Sequence, residues 1–488
     1  MAIDLEEYGA SAVCDRCASD PYLALQIERT GKIALCDFCQ EDENPTWPLS
    51  EIAEAVELAF EQHFRRTSDQ PDGLQSMMLA DKESSYEWDR DGEPTTYAIM
   101  NAMNCDEQLA SDLQLYLEEK HSDWDAATMG EECAFDAEAH YEEIMPSDGD
   151  WHRNWYRFER DLKEQTRFFS TTAQAYLKSI FGGVDQMKTT AGQPVVINAG
   201  PDDAISGFYR ARVFHNHEKL EVAMMRPDLE LGPPPSKFAL AGRMNAHGVS
   251  VFYGADTVEG AIAEVRPPVA SQVLIGRFEL SRRVRLLDFQ ALRSVSEAGS
   301  IFDPAYADRL SRLQFLRSLK DRISRPVMPT DEAFDYLATQ AVIDFLADGV
   351  GIDLDGVLFP SAQTKEASLN VVLFHRKSRV QRIELPEGTT LDASTYMSTD
   401  EGYDPWYSVY ENVPSAAKQA MLAAQKPKIG GLPDCLELDE NDDLEEDKST
   451  LAIDLKSLEV HVVSSIKYKT DRHTVHRHRM EQHENEPF

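Results

Sequence analysis

Hydrophobic residues recur at a helical period in the first half of the chain. After Ser50, which can cap a helix, apolar residues return every three or four positions up to Phe60. Residues 107–120 and 156–177 show the same period. The pattern therefore predicts a mostly helical domain over residues 49–190.

The pattern changes near residue 195 to short β-rich runs. These runs cover residues 195–197, 208–214, 249–253, 273–280, 356–359, 370–374 and 458–468, and helical patterns lie between them at 305–320 and 330–346. This mixture predicts an α+β domain with a mainly antiparallel sheet over residues 191–475, followed by a tail at 476–488. Within it, residues 433–448 carry nine Asp or Glu, which predicts a solvated acidic loop.

Length and charge narrow the classes of protein. A chain of 488 residues is too long for one ordinary core and indicates two or three domains. Its 86 Asp and Glu against 48 Lys and Arg give a net charge of −38, which repels nucleic-acid backbones. No apolar run approaches the ~18 residues of a membrane helix, and the acidic N-terminus lacks the features of a signal peptide. We expect a cytoplasmic protein without membrane or nucleic-acid contacts.

Four of the seven cysteines form two tight pairs at the N-terminus. Two residues separate the cysteines of each pair, and 18 residues separate the pairs. This spacing predicts a structural zinc ion in a ribbon over residues 1–48, and four free thiols are the alternative. The predicted ligands are Cys14, Cys17, Cys36 and Cys39.

Residues 242–264 contain the most informative polar side chains. Gly242 permits a tight turn beside Arg243, and Tyr253 lies near the end of a predicted strand. A capping-box pattern at residues 256–259 then begins a short apolar helix that carries Glu264. An ionised carboxylate on an apolar helix is costly unless it is paired, and Arg243 is the predicted partner. These residues could converge in one cleft.

Several motifs in this half resemble the RES domain. They occur in order at residues 208–212, 242–248, 251–253, 261–267, 355–361 and 370–374, so that the resemblance covers roughly residues 200–470. It implies a fold similar to ADP-ribosyltransferases, and the family's compact members are bacterial toxins that destroy NAD and are held by an antitoxin. Residues 49–190 resemble, less closely, the HEPN-type helical domains of some long RES proteins.

The resemblance implies cleavage of the nicotinamide–ribose bond of NAD. Glu264 would stabilise the oxocarbenium-like transition state, Tyr253 would stack on nicotinamide, and Arg243 would bind the diphosphate. Ser361 is the family's serine and would donate a hydrogen bond to the substrate. Arg210 and Asn370 are candidates for substrate contact or support of the cleft. Water, phosphate or a protein side chain remain open as the acceptor.

Two other functions and several partners stay open at this stage. The chain could be a protein ADP-ribosyltransferase, or a RES-fold binding module without activity. NAD, an antitoxin or regulatory protein, and a second copy of the chain are the candidate partners. Residues 81–150 carry a balance of −18, and residues 277–325 hold eleven Lys or Arg against six Asp or Glu. These opposite charges favour docking of the N-terminal half against the catalytic domain, which would restrain it, and a solvated acidic face is the alternative.

Overall fold

The chain divides into two compact units, each built from two separate segments. The computed structural model describes residues 4–81, 83–123, 132–165, 169–325, 327–328, 330–348, 351–364, 368–400, 402–415, 449–467 and 470–478. One unit comprises Met1–Ile197 and Leu287–Asp353, and the other comprises Asn198–Leu286 and Leu354–Phe488. The predicted acidic loop at 433–448 and the tail beyond residue 478 lie outside the described residues. The predicted α+β class is confirmed by the mixture of helices and strands.

The described residues form both helices and strands in each unit. The helices are α1 (Leu5–Gly9), α2 (Pro21–Thr30), α3 (Leu49–His63), α4 (Gly73–Ala80), α5 (Thr95–Met103), α6 (Glu107–Lys120), α7 (Gly149–Glu164), α8 (Thr171–Phe181), α9 (His217–Met225), α10 (Pro227–Glu230), α11 (Val258–Val265), α12 (Tyr306–Ser324) and α13 (Glu332–Ala347). The strands are β1 (Ala12–Cys14), β2 (Lys32–Ala34), β3 (Asn44–Pro48), β4 (Phe64–Arg66), β5 (Glu93–Pro94), β6 (His140–Glu143), β7 (Lys188–Thr189), β8 (Val196–Ala199), β9 (Gly207–Phe214), β10 (Phe252–Ala255), β11 (Gln272–Leu280), β12 (Val284–Asp288), β13 (Val295–Ser296), β14 (Gly356–Pro360), β15 (Leu369–Leu373), β16 (Thr390–Thr399), β17 (Gly402–Asn412) and β18 (Leu451–Val462).

The first unit begins with a small antiparallel sheet in the order β1-β3-β2. Helix α2 starts where it does because the Asp20 carboxylate accepts hydrogen bonds from the Tyr22 and Leu23 amides, and Pro21 occupies the first helical position. The predicted single helix over residues 156–177 is instead α7 and α8. Ser170 explains the break, because its hydroxyl accepts the Ala173 amide and caps a new helix.

The segment Leu287–Asp353 packs as part of this first unit. Phe302 is buried in the same core cluster as Ile52, Phe60 and Leu113 of the N-terminal helices. In α12, the Phe315 ring lies 5.7 Å from the Trp155 ring of α7. Burial of these aromatic side chains joins the segment to the N-terminal helices, although the predicted domain boundaries placed it with residues 191–475.

Arginines of the predicted basic stretch in this segment bind groups of their own unit. The Arg312 guanidinium donates to the backbone carbonyl oxygen of Ile180, and Arg317 donates to that of Val295. Arg309 forms ion pairs with Glu297 and Asp303. All three arginines are thus paired with groups of their own unit, and they do not contribute to an open basic surface.

The second unit is built on a sheet whose strands from β18 to β14 pair antiparallel. Within the described residues, eight strands follow the order β18-β11-β9-β10-β15-β14-β12-β8. Strands β14 and β15 form a hairpin in which Phe359 lies opposite Asn370. Helix α11 packs against β9, β10 and β11 through a small apolar cluster that includes Ala255, Ala261 and Val273. The sheet therefore places α11 beside the β14–β15 hairpin.

Two further observations complete the fold. Strands β16 and β17 form a separate two-stranded antiparallel hairpin, which lies in the chain between sheet strands β15 and β18. In the part of the chain that the structure describes, no helix is both long and apolar enough to cross a bilayer.

Candidate active site and cysteine cluster

Glu264 lies in the last turn of α11. Thr257 caps the start of the helix, where its hydroxyl accepts the Gly260 amide at 3.1 Å, and Arg266, with a positive φ of 45°, caps the end. Since Thr257 is the cap, Gly260 occupies the third helical position and the predicted capping box with Glu259 does not form. Gly260 is needed at this point, because a Cβ there would lie 2.6 Å from the Ser368 hydroxyl oxygen. The missing side chain lets α11 approach the β14–β15 hairpin closely.

Two side chains of that hairpin hold the Glu264 carboxylate. The Ser361 hydroxyl donates to Glu264 Oε1 at 2.6 Å, and Asn370 Nδ2 donates to the same oxygen at 2.9 Å. Ser361 and Asn370 are buried, whereas Glu264 is exposed. The carboxylate is thus anchored on one side by buried neutral donors and faces solvent on the other.

The partners of Glu264 differ from the predicted one. Among the described residues, Glu264 has no cation within ion-pair distance, and its hydrogen bonds come from Ser361 and Asn370. The exposure of Glu264 explains the difference, since water solvates the carboxylate and an ion pair with Arg243 is not required to offset burial. Oε2 accepts no hydrogen bond within the described part of the chain, which leaves this oxygen available to a ligand.

The Asn370 amide is held in one orientation. A carboxylate only accepts hydrogen bonds, so Nδ2 must be the atom that faces Glu264. The Oδ1 atom is then buried without a hydrogen-bond partner among the described residues. A buried acceptor without a partner costs free energy, and a hydrogen-bond donor on a ligand would remove that cost.

Tyr253 lies on β10 and is tied to the loop that carries Arg243. Its hydroxyl accepts the Met244 amide at 3.0 Å and donates to Asn245 Oδ1 at 2.9 Å. A Cβ at Gly242 would lie 2.8 Å from the Tyr253 hydroxyl oxygen, so the close packing of this loop on the tyrosine requires glycine. Arg243 sits half-buried between these contacts.

Asn245 organises this loop, and the sequence reasoning did not select it. Its side-chain amide is buried and donates to the backbone carbonyl oxygens of Leu240, Ala246 and Val249, at 2.9, 3.1 and 3.0 Å. The sequence did offer a clue to this role, since Asn245 lies between two glycines of a motif. An asparagine side chain there can hydrogen-bond the backbone groups of a tight loop.

Arg210 occupies β9 next to Tyr253. Its Nη1 donates to the Tyr253 backbone carbonyl oxygen at 3.0 Å, and its guanidinium lies 5.2 Å from the centre of the Phe252 ring. Burial lowers the pKa of Arg210 to about 10. Within the described residues no carboxylate pairs with it. A desolvated cation without an anionic partner is suited to bind an anionic ligand.

Strand β10 connects the two groups of predicted residues. Ala255 of β10 lies opposite Asn370 of β15 and opposite Tyr209 of β9. Glu264, Ser361 and Asn370 form one hydrogen-bonded cluster. Arg210, Tyr253 and the loop that carries Arg243 form a second one, two residues away along β10.

The four predicted zinc ligands come together in the first unit. Their sulfur atoms all lie within 4.8 Å of one another, with Cys14 Sγ 3.6 Å from Cys39 Sγ and Cys36 Sγ 3.8 Å from Cys17 Sγ. A tetrahedral ion with Zn–S bonds of about 2.3 Å has S···S edges of about 3.8 Å. Disulfides have S–S bonds of about 2.05 Å. The geometry therefore matches a tetrahedral thiolate site.

Burial and mutual repulsion affect the protonation of these thiols. Burial raises the pKa of Cys17, and the neighbouring Cys14 and Cys36 raise it further. Burial also acts to raise the pKa of Cys36, but backbone amides of Cys39 and Phe38 outweigh it and lower that pKa. A bound cation would favour the thiolate form of all four cysteines, because its positive charge offsets both burial and the mutual repulsion of the sulfurs.

Comparison with known proteins identifies one part of the chain. Residues 208–395 match the family model of the RES domain, and this range contains all six residues singled out for the active site. A search of curated proteins found no match. RES domains form a family of NAD-acting, toxin-like proteins. The chain therefore contains a RES domain at residues 208–395.

Proposed function

We propose that the RES domain of this protein cleaves the nicotinamide–ribose bond of NAD and acts as a toxin or defence effector. The observation that carries the proposal is the anchoring of Glu264 Oε1 by Ser361 and Asn370. Cleavage of this bond develops positive charge on the ribose, as in other glycosidic cleavages. A carboxylate already fixed in place stabilises that charge without reorganising during the reaction.

The remaining candidate residues suit the other parts of NAD. Arg210 is a half-buried guanidinium without an acidic partner in the described chain, which suits the negatively charged diphosphate. Arg243, on the loop beside Tyr253, offers a second guanidinium for the same group. The Tyr253 ring offers an aromatic surface for nicotinamide. Ser361 acts on Glu264 in this arrangement, and it is a positioning residue.

A product assay on the purified full-length protein tests the proposal. NAD is incubated with the protein, with and without added phosphate. The products measured are nicotinamide, ADP-ribose, phosphorylated ADP-ribose and protein that carries ADP-ribose. Glu264→Gln should lower nicotinamide release by about 10²-fold or more, because it removes the charge that stabilises the transition state. The matched control is Glu259→Gln, the same change at an exposed position on the same helix. Equal turnover by Glu264→Gln and the wild type would reject the assignment.

A cellular assay tests the toxin role separately. Expression of the wild-type chain should deplete cellular NAD and stop growth, whereas expression of Glu264→Gln should do neither. Since compact members of the family are held by an antitoxin, we expect a protein partner to restore growth. Growth arrest without NAD depletion would contradict the proposed role.

We further propose that Cys14, Cys17, Cys36 and Cys39 hold one structural zinc ion. Four thiolates at tetrahedral spacing leave no open coordination position, so the ion would supply stability and no chemistry. The ion would link β1 to the turn that precedes β3. Elemental analysis of the freshly purified protein should find one zinc ion per chain, and protein without zinc would contradict this proposal.

A further inference from the structure

The hairpin of β16 and β17 displays large aromatic side chains to solvent. Tyr403 is 74% exposed, Tyr410 55%, Tyr396 53% and Trp406 51%. The Tyr396 and Tyr403 rings contact each other edge-on, with centres 5.2 Å apart. These four residues, hereafter the aromatic hairpin surface, all lie beyond residue 395, where the match to the RES family ends.

The middle of the hairpin is held by other elements of the second unit. Thr395 is buried, and its hydroxyl lies 3.2 Å from His217 Nδ1 and donates to Glu221 Oε1 on α9. Gln272 Nε2 donates to the Tyr407 hydroxyl oxygen at 3.1 Å. A two-stranded hairpin alone is marginally stable, so these contacts explain why it forms. They leave the aromatic hairpin surface uncovered within the described residues.

The charge of the hairpin restricts what can cover this surface. Residues 383–415 contain no Lys or Arg, and their seven acidic residues are Glu384, Glu387, Asp392, Asp400, Glu401, Asp404 and Glu411. Nucleic acids and anionic bilayers are repelled by such a segment. Arg and Lys side chains are attracted by the carboxylates and stack favourably on tyrosine and tryptophan rings. Exposed Tyr and Trp are also the residues that contribute most at protein interfaces.

We propose that the aromatic hairpin surface binds a cationic, arginine-rich segment of a partner protein. Trp406, Tyr403 and Tyr410 would contact the apolar stems and guanidinium groups of that segment. Asp392, directly opposite Tyr410 in the hairpin register and so on the same face, would supply a carboxylate beside that ring. Pro405 lacks an amide donor on β17, which disfavours simple strand addition and makes side chains the main contact.

The test uses the full-length protein and a fluorescent 20-residue peptide of alternating Arg and Ala. The peptide should bind the wild type. Binding should weaken as salt rises from about 50 to about 300 mM, because salt screens the attraction between the peptide and the carboxylates. Trp406→Ala and Tyr403→Ala should each weaken binding about tenfold, and Asp392→Asn about threefold. A peptide with Glu in place of Arg should not bind.

Matched controls separate this surface from the general negative charge of the chain. Tyr97 is an exposed tyrosine, 49% accessible, on a helix of the acidic first unit. Tyr97→Ala should bind the peptide within twofold of the wild type, and all variants should keep the wild-type melting temperature and NAD turnover. Equal binding by wild type and hairpin variants would overturn the proposal.

Two alternative occupants are tested with the same variants. Binding of the protein is measured to vesicles of phosphatidylcholine and phosphatidylserine. Sedimentation of the protein alone is measured at rising concentration. Hairpin-dependent binding to vesicles, or hairpin-dependent dimers, would overturn the proposal in favour of a membrane or a second copy. The proposal would be supported by a monomer that does not bind vesicles and that binds the peptide through Trp406.

Discussion

Replacing Ser361 by alanine tests whether this residue acts through Glu264. The Ser361 hydroxyl donates a 2.6 Å hydrogen bond to Glu264 Oε1, and the serine is fully buried. A hydrogen bond to a charged group contributes about 1.5–3 kcal/mol. If that stabilisation holds Glu264 in its reactive position, its loss lowers kcat about 10- to 150-fold, at about 1.4 kcal/mol per tenfold.

The effect on folding should be smaller, because water can solvate the exposed Glu264 carboxylate once the hydroxyl is removed. Alanine fills the same space without the hydroxyl, and the second contact of that hydroxyl, with the Gln363 amide, is at an exposed residue where water can replace it. We expect a loss of about 0.5–1.5 kcal/mol in the free energy of unfolding. Because Ser361 does not contact substrate in this scheme, KM for NAD should change less than threefold.

The matched control is Ser271→Ala. Ser271 is also buried, and its hydroxyl makes a hydrogen bond of the same 2.6 Å length, but to the Pro268 carbonyl oxygen. Steady-state kinetics of nicotinamide release and thermal unfolding are measured for both variants. If Ser361→Ala kept kcat within twofold of Ser271→Ala, or raised KM while sparing kcat, the positioning role would be refuted.

Three further changes test other parts of the structure. Gly260→Ala should lower the unfolding free energy by about 1–3 kcal/mol and reduce kcat, since its Cβ would lie 2.6 Å from the Ser368 hydroxyl oxygen; unchanged melting and activity would show that α11 can move without harm. Cys36→Ser should release the proposed zinc ion, measured by elemental analysis, and should lower the stability of the first unit; retention of one ion per chain would exclude Cys36 as a ligand. His63 is buried, with its ring stacked on Tyr306, and burial lowers its pKa, so the unfolded chain binds the proton more readily. Wild-type stability should therefore fall as pH drops below about 6.5, and His63→Phe should lose that part of the pH dependence; parallel stability curves between pH 5 and 7 would contradict this.

The restraint suggested by opposite charges stays a prediction, and its test must allow for the packing of Leu287–Asp353 within the first unit. Removal of residues 1–190 would also expose Phe302 and Phe315, since both are buried with the N-terminal helices. A truncated chain would then differ in folding as well as in restraint. Charge-reversing substitutions on the exposed acidic residues of the full chain, with NAD turnover measured at low and high salt, separate the two effects.

The sequence by itself determined the local elements and the kinds of residue at the sites. The period of apolar residues gave α6 at Glu107–Lys120, and the two CxxC pairs identified the cysteine cluster. The motifs that resemble the RES domain could be found in the sequence, because each one is a short run of neighbouring residues. Glu264 was selected from local sequence as well, because it is a carboxylate on a short and otherwise apolar helix.

Only the tertiary structure decided the partners of those residues. Ser361 and Asn370 are separated from Glu264 by 97 and 106 positions, and it is the β14–β15 hairpin that brings them to its carboxylate. Arg243 was the nearer partner in sequence, but exposure of Glu264 removes the need for an ion pair. The grouping of Leu287–Asp353 with the N-terminal helices was likewise hidden, because it depends on which apolar faces bury each other. Spacing along the chain records local structure, whereas contacts between distant residues depend on the packing of the whole fold.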